Sequence, residues 1–153
     1  MAASANIFSD LRVFGADRPL ELAGELRRPL ILSRVAAGFP SPADDFLEGR
    51  IDLNTELVSH PLATYYIRVE GDSMIGAGIK PGAILVVDRS VDARSGDIVV
   101  ARVENEMCVK ELEMKQPNKF RLLSRNPAYP PIEITPETDF EVWGRVMYSI
   151  TRH

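Results

Sequence analysis

The chain has 153 residues, 45% of them apolar and 26% charged, with a formal net charge of −4. This is enough for one buried core with appended segments, and the negative charge disfavours sequence-specific DNA binding, which needs clustered Lys and Arg. No apolar run approaches the roughly 20 residues of a membrane span, and no secretory signal pattern begins the chain, so we expect a cytoplasmic protein without a membrane anchor.

The first segment, residues 1–37, has only short apolar clusters and two prolines, too little for a core of its own. Its five arginines are nearly balanced by four acidic residues, which is not the pattern of a basic DNA-binding arm. We interpret it as an extended, mobile arm. At its end, the small residues Ala36-Ala37-Gly38 precede Pro40 and Pro42, which hold the backbone extended, so that this stretch can lie in a groove like a strand.

Two short helices are predicted next, one over 44–50 with Ser41 as a possible cap and one within 52–60. Strand patterns then dominate, at 65–70, 83–87, 97–103, 107–112, 119–123 and 140–150. Glu104-Asn105-Glu106 is predicted to close a hairpin. The predicted fold is therefore mostly β. The last strand places six residues on one face, namely Phe140, Val142, Gly144, Val146, Tyr148 and Ile150.

Ser73 is a candidate nucleophile, in Gly71-Asp72-Ser73-Met74 directly after a predicted strand. A serine can project clear of the sheet where the chain leaves it, and the peptide N–H groups around it can point at a developing oxyanion. The motif alone is weak, because a serine in a turn more often only caps the residues that follow it.

Lys110 is a candidate general base on the predicted strand 107–112, where it shares a face with Cys108 and Leu112. A lysine held against apolar side chains can lose its proton near neutral pH and then accept a proton from a hydroxyl. The competing interpretation is a lysine that protects an edge strand or extends to water. Lys110 by itself does not decide between the two.

Other catalytic arrangements fit poorly. His60 precedes a proline in a predicted turn and His153 is the terminal residue, so neither is well placed as a base. Cys108, the single cysteine, has no neighbour that would activate it, and we interpret it as a small core residue. These residues lack zinc-ligand spacing, so we expect no metal and no cofactor. Three glycines lack phosphate-binding spacing and are interpreted as turn residues, namely Gly76, Gly78 and Gly82.

Three separated elements together resemble the LexA/UmuD family of self-cleaving Ser/Lys peptidases. In chain order they are Ala36-Ala37-Gly38, Gly71-Asp72-Ser73-Met74 and Val109-Lys110-Glu111-Leu112. The resemblance covers residues 34–152, and the stretches 38–42 and 51–54 are most similar to the UmuD branch of the family. Ala37 departs from that branch, where cysteine commonly precedes the cut, and the arm is longer than expected there.

The resemblance implies a β-rich domain of the LexA and signal-peptidase type, with an extended amino-terminal arm. It implies that Ser73 is the nucleophile and Lys110 the base, that the backbone of Asp72 and Ser73 holds the oxyanion, and that the cut falls between Ala37 and Gly38. The domains would then be 1–37, removed by self-cleavage, and 38–153, the peptidase and dimerisation domain. Such a protein forms a homodimer in the bacterial cytoplasm, is stimulated by a RecA filament on single-stranded DNA, and serves a UmuC-like Y-family polymerase in SOS mutagenesis.

Three alternatives remain open at this point. The first is a non-catalytic β-rich dimerisation or interaction module. The second is a signal-peptidase-like enzyme acting on other proteins, which the lack of a membrane segment disfavours. The third is a repressor-type peptidase without its DNA-binding domain. Residues 1–37 leave too little chain for a helix-turn-helix, and this favours a UmuD-like over a LexA-like protein.

Overall fold

The computed structural model describes residues 11–12, 28–31 and 47–153. The described residues divide into two compact units, one with 11–12 and 60–153 and the other with 28–31 and 47–59. Strand β1 (Leu11–Arg12) belongs to the larger unit. No helix in the described part of the chain has both the length and the apolar composition required to cross a bilayer.

In the smaller unit, strand β2 (Arg28–Ile31) pairs antiparallel with β3 (Leu47–Ile51), and helix α1 (Leu53–Leu57) follows. Asp52 caps α1 by accepting a hydrogen bond from the backbone N–H of Asn54 at 2.9 Å. The helix predicted within 52–60 is thus confirmed. The helix predicted over 44–50 is wrong in its described part, because pairing with β2 satisfies the backbone of β3, which also contains the helix-disfavouring Gly49. Ser41 and residues 44–46 lie outside the described residues.

The larger unit is built on one antiparallel sheet, which confirms the mostly β prediction. Its further strands are β4 (Thr64–Val69), β5 (Ile84–Asp88), β6 (Ile98–Val103), β7 (Glu106–Gln116), β8 (Lys119–Leu123), β9 (Ile132–Ile134) and β10 (Phe140–Ile150). The strand order is β1-β4-β5-β10-β6-β7-β8-β9. The predicted hairpin between β6 and β7 is confirmed, with both loop residues, Glu104 and Asn105, at positive φ.

Two hydrophobic clusters lie on the faces of the central strands. Val100 of β6 belongs to the first cluster, whereas its neighbours Val99 and Ala101 belong to the second. The middle of the sheet is therefore buried on both sides. Cys108 of β7 is fully buried in the second cluster, as predicted for a small core residue.

Strand β10 does not keep one face throughout, which corrects the six-residue pattern predicted for it. The register shifts between Val142 and Gly144 against β6 and between Val146 and Tyr148 against β5. Each β-bulge adds a residue and reverses the side on which the following residues lie. As a result Trp143 and Val146, predicted on opposite faces, pack against the same cluster, and Tyr148 is 43% exposed.

The sheet is strongly curled. Three strands separate β4 from β7, which would place them about 19 Å apart in a flat sheet at 4.8 Å per strand. Nevertheless β1, which pairs with β4, also contacts β7. The curl brings the end of β4 to the middle of β7, where the candidate site lies.

Candidate active site

Ser73 lies in a tightly held turn, residues 71–77, that we call the serine turn. Gly71, two residues after the end of β4, has φ of 85°, a left-handed conformation that glycine adopts without steric cost. Met74 is buried in the first hydrophobic cluster, and a 3₁₀ turn over Ile75–Ala77 follows. Anchored on both sides, Ser73 is only 3% exposed.

Lys110 reaches Ser73 from β7. Its Nζ donates a hydrogen bond to Ser73 Oγ at 2.7 Å, and the lysine side chain is fully buried. Transfer of an ammonium from water into a protein interior disfavours its charged form. A buried amine in contact with a hydroxyl is placed to exchange a proton with it.

A loop segment, residues 125–129, fastens the serine turn. The carbonyl oxygen of Arg125 accepts a hydrogen bond from Gly76 N at 2.7 Å, and the side-chain amide of Asn126 donates to the Asp72 carbonyl at 3.1 Å. The Tyr129 hydroxyl donates to Asp72 Oδ1 at 2.6 Å. Gly76 fits because a Cβ there would lie only 2.4 Å from the Arg125 oxygen.

The same 125–129 segment is tied to β7 beside the lysine. Arg125 forms a two-pronged ion pair with Glu111, the neighbour of Lys110, with 2.5 Å between Arg125 Nε and Glu111 Oε2. The Tyr129 ring faces Lys110, with 5.7 Å between Nζ and the ring centroid. One loop thus links the turn that carries the hydroxyl to the strand that carries the amine.

The N–H groups at the end of the serine turn are used within the structure. Ile75 N donates to the Asp72 carbonyl and Ala77 N to the Met74 carbonyl, and Gly76 N is bonded to Arg125. Asp72 and Ser73, predicted to hold an oxyanion through their N–H groups, begin this turn. That role remains a prediction.

The remaining predicted residues lie elsewhere. Ala37 and Gly38 are outside the described residues. His60, rejected as a base, contacts Asp88 Oδ2 through Nδ1 at 2.6 Å. Burial tends to raise the pKa of Asp88, but hydrogen bonds from Ser90 and His60 outweigh it and hold this pKa below its ordinary value.

Sequence reasoning missed the 125–129 segment. Asn126 and Tyr129 occur in a stretch with three prolines, at 127, 130 and 131, where no period distinguishes a functional residue from a loop residue. Gly76 was interpreted only as a turn glycine, whereas its role is the close approach of the Arg125 carbonyl.

A β-rich domain in which a buried lysine meets a serine after a strand has the architecture of a Ser/Lys peptidase. The sequence profile of the Peptidase S24-like family matches residues 29–147. The chain belongs to this family, which confirms the resemblance to LexA/UmuD self-cleaving serine peptidases.

Named relatives agree with this assignment. Protein MucA of Salmonella typhimurium is 41% identical over 126 residues, covering 82% of this chain and 85% of MucA. Protein ImpA of Shigella flexneri is 42% identical over 122 residues, 78% of each chain. The LexA repressor of Stenotrophomonas maltophilia is 45% identical over 119 residues, 78% of this chain but 55% of the repressor. The similarity thus covers a larger share of MucA and of ImpA than of the LexA repressor.

Proposed function

We propose that this protein is a UmuD-like peptidase that cuts its own chain between Ala37 and Gly38 with Ser73 as nucleophile and Lys110 as general base. The observation that carries the proposal is the fully buried Lys110 Nζ at 2.7 Å from Ser73 Oγ. An amine placed so close to a buried hydroxyl is suited to remove its proton, which a surface lysine is not.

In the proposed reaction, neutral Lys110 takes the proton of Ser73 and Oγ attacks the carbonyl carbon of Ala37. The N–H groups of Asp72 and Ser73 are proposed to stabilise the oxyanion. The later N–H groups of the serine turn, those of Ile75, Gly76 and Ala77, bond to carbonyl oxygens of the protein. The bond to Gly38 then breaks, and its nitrogen takes the proton from Lys110. Water hydrolyses the resulting ester at Ser73 and releases residues 1–37.

The substrate is a segment of the same chain. In sequence, Ala37 and Gly38 lie in the connection 32–46 between β2 and β3. Tethering gives the cut segment a high effective concentration, so a site with little affinity for free peptides can still cleave its own chain. The proposed domains are 1–37, removed, and 38–153, retained.

We further propose the SOS-mutagenesis role implied by the resemblance. A RecA filament on single-stranded DNA would promote entry of the cut segment into the site, and the product would serve a UmuC-like Y-family polymerase.

The product would also form a homodimer through the sheet surface, including β10, whose Tyr148 and Ile150 are 43% and 46% exposed. Sedimentation of the cut product at several concentrations tests the dimer.

The decisive experiment is incubation of the purified protein at alkaline pH, and separately with RecA, nucleotide and single-stranded DNA, followed by intact-mass measurement and amino-terminal sequencing. We expect a new terminus at Gly38. Ser73→Ala and Lys110→Ala should stop the cut, whereas the exposed controls Ser59→Ala and Lys80→Ala should not. A chain that stays intact under both conditions would instead favour a non-catalytic interaction module.

The pH dependence gives a second test. Because the neutral amine is the active form of the base, self-cleavage without partners should accelerate from mildly acidic to alkaline buffer. A rate that does not change over that range contradicts the role of Lys110.

A further inference from the structure

Tyr129 contacts the surroundings of both members of the Ser73–Lys110 pair. Its hydroxyl donates a 2.6 Å hydrogen bond to Asp72, the residue before Ser73, and its ring centroid lies 5.7 Å from Lys110 Nζ. A cation within about 6 Å of an aromatic face is attracted by the ring. The side chain of Tyr129 therefore contacts both the residue before the Ser73 hydroxyl and the amine of Lys110.

We propose that Tyr129 is a positioning residue for the Ser73–Lys110 pair. Its hydroxyl fixes the serine turn through Asp72. Its ring stabilises the ammonium form of Lys110 and so sets the pH range in which the neutral base becomes available. The proposal rests on the proposed function for its significance, but both contacts can be measured without any cleavage.

The hydroxyl can be removed without detaching the 125–129 segment. Asn126 still donates to the Asp72 carbonyl, Gly76 N still donates to Arg125, and Arg125 remains paired with Glu111. Tyr129→Phe should therefore keep the fold of the segment while freeing the Asp72 carboxylate. The expected result is a looser serine turn in an otherwise unchanged domain.

The effect of the ring can be separated from that of the hydroxyl. Phenylalanine and leucine both lack the hydroxyl, but only phenylalanine keeps the aromatic face. Titratable and charged groups on the neighbouring elements are unchanged in both variants, including Glu70 after β4, Asp72 on the serine turn, Cys108 and Glu111 on β7, and Arg125 on the segment. A difference between the two variants therefore reports on the ring.

The ring is tested by NMR titration of Lys110 in protein labelled at lysine Cε. Ser73→Ala keeps every sample intact, and Lys110→Ala assigns the signal. We expect the midpoint of Lys110 in Tyr129→Leu to lie about half a pH unit to one unit below that in Tyr129→Phe, because the ammonium form loses its aromatic contact. Equal midpoints would overturn the role of the ring. Tyr66→Leu, at a tyrosine 40% exposed on β4, is the matched control and should cause no shift.

The hydroxyl is tested by amide hydrogen exchange of the serine turn in the same Ser73→Ala protein. Loss of one hydrogen bond should make exchange over 71–77 about two- to tenfold faster in Tyr129→Phe. Tyr66→Phe should leave it unchanged. Unaltered exchange in Tyr129→Phe would overturn the role of the hydroxyl.

Self-cleavage of chains that retain Ser73 then separates this inference from the proposed function. We expect the pH profile of Tyr129→Leu to move to lower pH with the Lys110 midpoint, and Tyr129→Phe to cut more slowly than wild type. A profile that does not follow the midpoint counts against the inference. A wild-type chain that never cuts overturns the proposed function, while titration and exchange still decide whether Tyr129 acts on Lys110 and Asp72.

Discussion

Burial of Lys110 carries a desolvation cost in free energy, because its amine is removed entirely from water. Lys110→Ala should lower the free energy of unfolding by about 2–4 kcal/mol, since it leaves a cavity. By contrast, the double variant Ser73→Ala/Lys110→Met replaces both polar partners with apolar groups and fills the space. It should be more stable than Lys110→Ala, because methionine fills the cavity. Urea denaturation measures both values.

The comparison distinguishes a catalytic amine from a structural one. If the double variant is destabilised as much as Lys110→Ala, the 2.7 Å hydrogen bond holds the fold together. If the double variant is stable, does not cut and unfolds cooperatively, loss of cleavage cannot be due to unfolding.

Asp88 should control stability in acid. Its side chain is 3% exposed and accepts hydrogen bonds from Ser90 and His60, which hold its pKa below the ordinary value for an aspartate although burial acts to raise it. A carboxyl whose pKa is lower in the folded state stabilises the fold above its unfolded pKa and loses this contribution as pH falls through the folded value. Asp88→Asn should be less stable than wild type at neutral pH, and the difference should shrink below about pH 4.

Thermal unfolding between pH 7 and pH 2.5 measures this dependence. The pKa of Asp139 is also lowered, chiefly by its hydrogen bond with Arg102, but Asp139 is 55% exposed. Asp139→Asn should therefore change stability little, because solvent screens an exposed ion pair. If the stability of Asp88→Asn falls with pH as steeply as that of wild type, the loss of stability in acid is not due to Asp88.

At the level of structural elements, the approach of the serine turn to the 125–129 segment depends on Gly76. A Cβ there would lie 2.4 Å from the Arg125 carbonyl oxygen. Gly76→Ala should push the two apart, cost about 1–3 kcal/mol and slow self-cleavage about tenfold or more. Rates of conversion by intact mass, together with unfolding curves, measure both effects.

Gly96→Ala is the matched control for that prediction. Gly96 has φ of 94°, and a Cβ there would have no atom within 4 Å, so alanine costs about 1–2 kcal/mol of backbone strain without a clash. It should cut at the wild-type rate. If Gly76→Ala cuts equally fast, the close approach is not needed for cleavage.

Elements with a clear period were predictable, and the exceptions have physical causes. β4, β5, β6, β7 and β8 follow from alternation or apolar runs and from the turn residues between them. β3 was predicted as a helix because local pattern does not reveal its pairing with β2. β1 and β9 are too short to show a period. In β10 each bulge breaks the alternation without any change in composition.

At the scale of the whole molecule, the identities of the two site residues, Ser73 and Lys110, were predictable from the sequence, but the contact between them was not. Ser73 and Lys110 were paired through resemblance to a family, while three strands separate β4 from β7 in the sheet. Their 2.7 Å contact requires the curl of the sheet, which depends on long-range pairing. Tyr129 was missed since its contacts with Asp72 and Lys110 also exist only after the sheet has curled.

The position of the core predicts how the molecule would respond to the proposed cleavage. Among residues whose burial is described, the buried members of the two hydrophobic clusters lie between Ile67 and Ile134, and the partly buried residues packed against them extend to Val146. The described residues of the 1–37 segment contribute the two-residue pairing of β1 with β4 and the ladder of β2 with β3. An isolated two-stranded ladder adds little stability, so a protein of residues 38–153 should unfold cooperatively with a Tm within about 5 °C of the intact Ser73→Ala chain. A broad or missing thermal transition would mean that 1–37 is a structural part of the domain rather than a removable arm.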